Sequence, residues 1–203
     1  MEGGKLSLDL LIGLSIFLFT FIFVASFLPS IFADVRSEIN LAHQAYRVSA
    51  LLVEDPGYPS DWAEMPLDSC TTQEFRVGLI ILNMTKPGPN KKEYNHIDFD
   101  KAKRFSEFMV NEDCRGELKK YLGLNLRVAG SPVSYGLNVS LKNMNGSLLL
   151  NDSQVILNNG DIGGGAQVMR FERIVYLNRS FVDNCEFVIG DRCIAKLEVR
   201  VWI

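Results

Sequence analysis

Hydrophobic and polar positions follow three successive rhythms along this chain. From Leu10 to Phe32 no charged residue occurs, and six of the 13 phenylalanines fall in that stretch. An uncharged, mostly apolar run of more than 18 residues is a candidate transmembrane helix, because about 20 residues cross the ~30 Å hydrocarbon layer. From Val35 the rhythm becomes amphipathic. Val35, Ile39, Ala42, Ala45, Tyr46, Ser49, Leu52 and Val53 recur at three- and four-residue spacing, with Arg36, Asn40, His43, Gln44 and Arg47 on the other side. That stripe predicts a helix continuing from the apolar run and packing one face on a folded domain. Pro29 predicts a kink within it. "EDPGYPSDW" predicts its end, since Pro56 disfavours helix at Asp55 and Pro-Gly suits a tight turn. A helix from Leu6 to Glu54 at ~1.5 Å per residue would be about 75 Å long, more than twice the membrane core.

The third rhythm is mixed. "FRVGLIIL" (75–82) predicts a strand and "TKPGPNKKEYN" a loop, followed by short helices over "DFDKAKRFSEFM" and "DCRGELKKYLGL", with Gly123 where a C-cap glycine belongs. From Leu124 the alternation is period two in "LNLRV" and "YGLNVSLK", with "SLLL", "QVIL" and "VMRFERIVYL" after them. In the last segment Cys193, Ala195, Leu197, Val199, Val201 and Ile203 face one way, and Lys196, Glu198 and Arg200 face the other. Such a strand packs one face on a core and wets the other. The fold class predicted is α+β: a long N-terminal helix, half transmembrane and half amphipathic, packed on a mainly antiparallel β-sheet domain.

Composition narrows the function. The chain has 203 residues, 47% hydrophobic, with net charge -3, which suits a membrane anchor plus one domain. With a weak acidic balance and no basic stripe, a nucleic-acid partner is excluded, while membrane lipid is an expected one. A cleaved secretory signal fits poorly, because the run is too long, Lys5 is the single basic residue before it, and "SIFADV" is a poor cleavage site. Cys70, Cys114, Cys185 and Cys193 all follow the apolar run, an even count that fits an oxidising compartment. There is no C-x-x-C, and neither His43 nor His96 has a ligand-spaced partner, so no metal site is expected. Of three possible pairings, Cys70–Cys114 with Cys185–Cys193 is preferred because the second closes a short hairpin. A strict two-residue turn at Gly190-Asp191 would put Val188 opposite Cys193, so that bridge implies a wider connection. Five sequons, at Asn83, Asn138, Asn145, Asn151 and Asn178, lie on the same side of the run as the cysteines. Lys5 and Arg36 flank the run on opposite sides, so the extracellular placement of the C-terminal domain rests on cysteines and sequons.

Catalytic constellations are missing from the sequence. "NNGDIGGGAQV" has no Lys-Ser/Thr after it and no G-x-G-x-x-G opening a helix, which leaves a loop between strands. The acids of "NEDC" and "DFDKAK" read as solvated helix faces. With two histidines and no G-x-S-x-G, no enzyme and no cofactor are predicted. Trp62 and Trp202 read as core or edge anchors.

The opening stretch "EGGKLSLDLLIGLSIFLFTFIF" sets Gly3-Gly4 before the run and an acid, Asp9, at its mouth. If the chain is cut after Gly4, Lys5 supplies a new α-amino group and Asp9 becomes the fifth residue. A carboxylate there gains about 0.3–1 kcal/mol from the positive end of the helix dipole. At the helix centre in lipid an acid costs about 2.5–3.5 kcal/mol. The α-amino group of a neighbouring copy would compensate that charge in a bundle of like helices.

With Gly4, Lys5 and Asp9 in these places, the chain resembles an archaeal type IV pilin-like protein with a class III signal peptide. The resemblance continues through "LVEDPGYPSDW", "CRGELKKYLGL" and the terminal "RIVYL…AKLEVRVWI". The family usually has Glu where Asp9 stands, and a basic residue before the glycines where this chain has Glu2. Its helix is Phe-rich, unlike the Ala/Gly/Val-rich helices of archaellins, which disfavours a motility-filament subunit. The resemblance implies a prepilin peptidase acting between Gly4 and Lys5, and other pilin-like subunits as partners through the N-terminal helix. It divides the chain into a leader (1–4), a transmembrane helix (5–33), an amphipathic spine (34–55) and an extracellular domain (56–203). The function implied is a surface filament subunit, a minor pilin or pseudopilin, in adhesion or pilus assembly. The alternative is a single-pass membrane-anchored domain that binds a ligand or partner without polymerising.

Overall fold

Residue patterning of this kind gives a 52-residue helix, α1 (Gly3–Glu54), at the start of the chain. The structure, a computed structural model, describes residues 3–72, 74–83, 92–128, 131–159 and 167–203; the side chains of 3–7, 30–39, 68, 126–128 and 131–132 lie outside that description. The chain divides into two units, Met1–Asn40 and Leu41–Ile203, with the boundary inside α1.

In the first unit, Leu8–Pro29 has mean hydropathy 2.6 and none of it is buried. Its hydroxyls do not reach outward for partners. Ser15 donates to Leu11 O (2.8 Å), Thr20 to Ile16 O (2.8 Å) and Ser26 to Ile22 O (2.7 Å), each bonding back to the preceding turn. Such back-bonding lets a polar side chain sit in hydrocarbon without an orphaned donor.

In the second unit, the last turns of α1 bury Leu41, Ala45, Val48, Ser49, Leu52 and Val53. The buried arc is rotated from the expected stripe. Leu41 and Val48 join it, whereas Tyr46 is half exposed and sits edge-on to Phe171 (5.8 Å) beneath the Arg173 guanidinium (4.9 Å). An amphipathic tyrosine at the rim of a core keeps its ring packed and its hydroxyl wet. The helix stops where Pro56 requires, and Asp55 Oδ1 accepts from Gly57 N (2.9 Å) in the turn.

The domain is α+β, with its β part mostly antiparallel. After α1 come β1 (Ile80–Leu82), β2 (Lys92–Ile97), α2 (Phe99–Val110), α3 (Glu112–Tyr121), β3 (Asn125–Val128), β4 (Ser131–Ser134), β5 (Gly136–Lys142), β6 (Leu150–Asn151), β7 (Gln154–Val155), β8 (Val168–Asn178), β9 (Phe187–Ile189) and β10 (Arg192–Trp202). The main sheet runs β1-β2-β8-β10-β5, with β9 also on β10. Among the described residues only β2 and β8 pair in parallel within it, at His96↔Tyr176. Helices α2 and α3 are each opened by a side chain: Asp98 accepts from Lys101 N (3.2 Å), and Asn111 from Asp113 N and Cys114 N. Gly123 follows α3 at φ +64°, a conformation glycine adopts without a Cβ penalty.

Two strand expectations are corrected. The segment containing β2 reads as loop because its residues are polar, yet Lys92–Ile97 fills the gap between β1 and β8. Only Ile80–Leu82 of the expected 75–82 strand joins the sheet. The rest is claimed by the turn after α1: Tyr58 N and Arg76 O pair at 2.8 Å, Arg76 N and Tyr58 O at 2.7 Å, and Leu79 N donates to Leu52 O (3.0 Å).

Strand β10 buries Cys193, Ala195, Leu197, Val199 and Val201 on one side, as its alternation predicts, but Ile203 at the end is 55% exposed. Its other face is not simply wet. Glu198 is 2% exposed and accepts from Lys142 Nζ (2.7 Å) and Arg200 Nε (2.7 Å), with Arg170 Nη1 at 3.7 Å. Burial pushes this carboxyl up, but the Lys142 and Arg200 contacts outweigh it and hold Glu198 below its ordinary value. Its stabilisation is therefore fully present above the unfolded value near 4.3 and is lost as pH falls through the lower folded one. Glu198→Ala is expected to destabilise the domain by about 2–3 kcal/mol in a denaturant titration at pH 7, with the difference from wild type shrinking below pH 4. This is under the full buried-pair cost because Arg170 and Arg200 are partly exposed and can turn to water.

Both bridges are present in the pairing preferred from sequence, Cys70–Cys114 and Cys185–Cys193. The expectation of a wide connection in the second is overturned. Arg192 pairs with Ile189 and Cys193 with Val188, so Gly190-Asp191 is a strict two-residue turn, and the bridge forms regardless. The chain before β9 doubles back under Cys193. Asn184 holds it there, donating to Leu148 O (2.8 Å) and accepting from Leu150 N (2.9 Å), while Asn143 Nδ2 donates to Asn184 O (2.9 Å).

Candidate functional site

An apolar helix exposes its side chains only where something other than water covers them. Segment Leu8–Pro29 is such a surface: Phe17, Phe19, Phe21, Phe23 and Phe27 are all exposed, with Phe23 and Phe27 rings 4.4 Å apart. The segment is long and apolar enough to cross a membrane. Asp9 is exposed and stands one residue inside its N-terminal end. Gly4 and Lys5 belong to the backbone of α1; their side-chain positions, and Met1 and Glu2 before them, lie outside the described residues.

The cysteines divide the fastening of the second unit. Cys70–Cys114 ties the 3-10 turn Leu67–Thr71 to α3, and Cys185–Cys193 ties the loop before β9 to the core strand. Bridges of this kind fit an oxidising compartment.

The sequons differ in access. Asn145 and Asn178 are exposed: Asn145 contacts Glu186 Oε1 and accepts from Ser147 N (2.7 Å), and Asn178 accepts from Ser180 N (3.0 Å). Asn151 is half-buried beside the two-residue turn Asp152–Ser153. Asn83 is half-buried and donates to Glu93 Oε1 (2.9 Å); the rest of its sequon lies outside the described residues. Asn138 is 3% exposed on β5, an edge strand of the main sheet, and its Nδ2 donates to Asn158 Oδ1 (3.1 Å).

Sequence reasoning also missed a buried cation. Lys101, in the stretch whose acids read as a solvated face, is 4% exposed and donates to Pro56 O (2.8 Å) and Ile80 O (3.1 Å). Burial pushes its pKa down, against the raising effect of Asp98, Asp55 and Asp61. It clamps α2 to the turn after α1 and to β1, a structural role with no local signal beyond its place three residues after the N-cap. His96 Nδ1 lies 2.7 Å from Glu93 Oε2, and His43 is exposed. Among the described residues no group of three His, Cys, Asp or Glu could hold a metal ion.

Residues 1–79 match a family of unknown function, DUF7287. Over 201 residues the chain is 45% identical to a protein of Archaeoglobus fulgidus described as an uncharacterized protein, covering 98% of both chains. The chain and this archaeal protein belong to one family. The match to DUF7287 takes in all of α1 and the turn that packs against it. No solved structure matches the chain.

Proposed function

We propose that the chain is a type IV pilin-like subunit of a surface filament, a minor pilin or pseudopilin acting in adhesion or pilus assembly. The observation that carries this reading is the exposed Asp9 at the mouth of a wholly uncovered apolar helix. Lipid alone would cover the phenylalanines, but it offers the carboxylate nothing. A neighbouring helix that begins with a free amine at Lys5 would cover both. Repetition of that contact, heterologous and not closing on itself, generates a filament. A class III leader cut after Gly4 by a prepilin peptidase belongs to the same reading and rests on the placement of Gly4, Lys5 and Asp9. On this reading the second unit faces outward, where its bridges persist and Asn145 and Asn178 are open to glycans.

Mass spectrometry of the N-terminal peptide from cell envelopes tests the processing step. A mature chain beginning at Lys5 is expected. A chain that keeps residues 1–4 overturns the filament reading and leaves a membrane-anchored binding domain in its place.

A further inference from the structure

Between the C-terminal end of α2, α3 and the far ends of β5 and β10 lies an open cavity of about 490 Å³. That volume suits a small ligand, which pockets of roughly 300–1,000 Å³ accept. Its lining includes Arg115, Lys119, Asn158, Asn159, Leu137 and Trp202, and no acidic side chain, in a protein whose net charge is -3. Arg115 and Lys119 are four residues apart on α3, which places two like charges on one helix face. Arg115 reaches Glu112 only at 3.4 Å through an exposed pair, and Lys119 makes no ion pair with any described residue. Burial, and then the neighbouring Arg115 charge, push the Lys119 ammonium down from its ordinary value. A Lys119 ammonium with no ion-pair partner among the described residues, beside the like charge of Arg115, is an electrostatic cost that a bound anion lowers.

Asn159 supplies a second, independent sign. It is 5% exposed, its Oδ1 accepts from Val139 N (2.8 Å), and its Nδ2 has no partner among the described residues. An amide donor so buried is costly unless something accepts from it. Trp202 adds a flat apolar wall. Its indole is seated over Gly136, where a Cβ would fall 2.0 Å from Cε2, and the ring remains half-exposed. The site thus combines cations, amide donors and an aromatic plane.

We propose that this cavity binds an acidic sugar of the uronic acid class. Its carboxylate faces Arg115 and Lys119, a hydroxyl or ring oxygen accepts from Asn159 Nδ2, and an apolar ring face lies on Trp202. A bare inorganic anion would leave the indole unused, and a neutral sugar would leave the Lys119 charge unanswered. The assignment is independent of whether the chain polymerises.

The test is isothermal titration calorimetry of the full chain in detergent micelles with sodium glucuronate, glucose and sodium acetate. Glucuronate is expected to bind at least about tenfold more tightly than either control, and Lys119→Gln to weaken it by about tenfold. Because Lys119 makes no ion pair with a described residue, Lys119→Gln is expected to melt at the wild-type temperature or slightly above, so lost binding will not reflect lost folding. Acetate binding as well as glucuronate would reduce the cavity to an adventitious ion site and overturn the proposal. So would the absence of glucuronate binding, or an unchanged affinity in Lys119→Gln.

Discussion

Asp9→Ala is expected to abolish filaments on the cell surface while leaving the chain in the membrane fraction. The two readouts separate because they depend on different parts of one helix. Insertion depends on the apolar length of Leu8–Pro29, which the substitution leaves intact and makes slightly more apolar. Assembly, in the filament proposed above, depends on a charge pair in a low-dielectric bundle. With the carboxylate gone, the neighbour's α-amino group would be buried alone, and an uncompensated buried charge of a broken pair costs about 3–5 kcal/mol. At a tenfold change per 1.4 kcal/mol, each subunit contact would weaken by about two to three and a half orders of magnitude. Asp9→Glu, which keeps the charge, is expected to restore filaments at least in part. Electron microscopy of cells alongside immunoblots of membrane fractions checks both arms. Filaments formed by Asp9→Ala would rule out the charge-pairing account.

The second large effect belongs to the unit Leu41–Ile203. Trp62→Ala is expected to destabilise it by about 3–5 kcal/mol, the range for removing a buried large aromatic. Trp62 is 0% exposed, its ring lies 6.0 Å from that of Phe108, and Phe75 continues the cluster at 5.5 Å from Phe108. Its indole N–H also donates to Gly78 O (3.1 Å) and Pro56 O (3.3 Å), joining the turn after α1 to the segment leading into β1. Truncation leaves a cavity and strips both carbonyls of a donor. A domain of this size typically has a net stability of about 5–15 kcal/mol, so the loss is a large fraction of it. The melting temperature should fall by roughly 10 °C, and Trp62→Phe, which keeps most of the volume, should fall by less than half as much. A Trp62→Ala protein melting within about 2 °C of wild type would show that this residue does not anchor the turn.

Elements whose signal is local were legible from residues alone. The apolar run, the Pro56 stop, the two short helices, Gly123 and the alternation of β10 each follow from a few neighbouring side chains. Features decided by distant partners were not. β2 is polar and looks like loop, and becomes a strand because β1 and β8 flank it. Glu198 sits at a position whose period promises solvent, and is buried by cations from three strands. Lys101 finds its acceptors at Pro56 and Ile80, 45 and 21 residues back along the chain. The candidate sites divide in the same way. Asp9 and the glycines announce themselves in a single stretch. The cavity with Arg115, Lys119, Asn159 and Trp202 draws on segments far apart in sequence, and Trp202 looks like an edge anchor until Gly136 is placed beneath it.

Like charges that stand opposite each other on the central sheet are relieved on the diagonal. In the native pairing Arg170 is opposite Arg200 and Glu172 opposite Glu198. Yet Arg170 reaches Glu198 (3.7 Å) and Lys196 reaches Glu172 (3.5 Å) across the two strands. One register thus satisfies both sides of β10: unlike charges meet on one, and Cys193, Ala195, Leu197, Val199 and Val201 fill the core on the other.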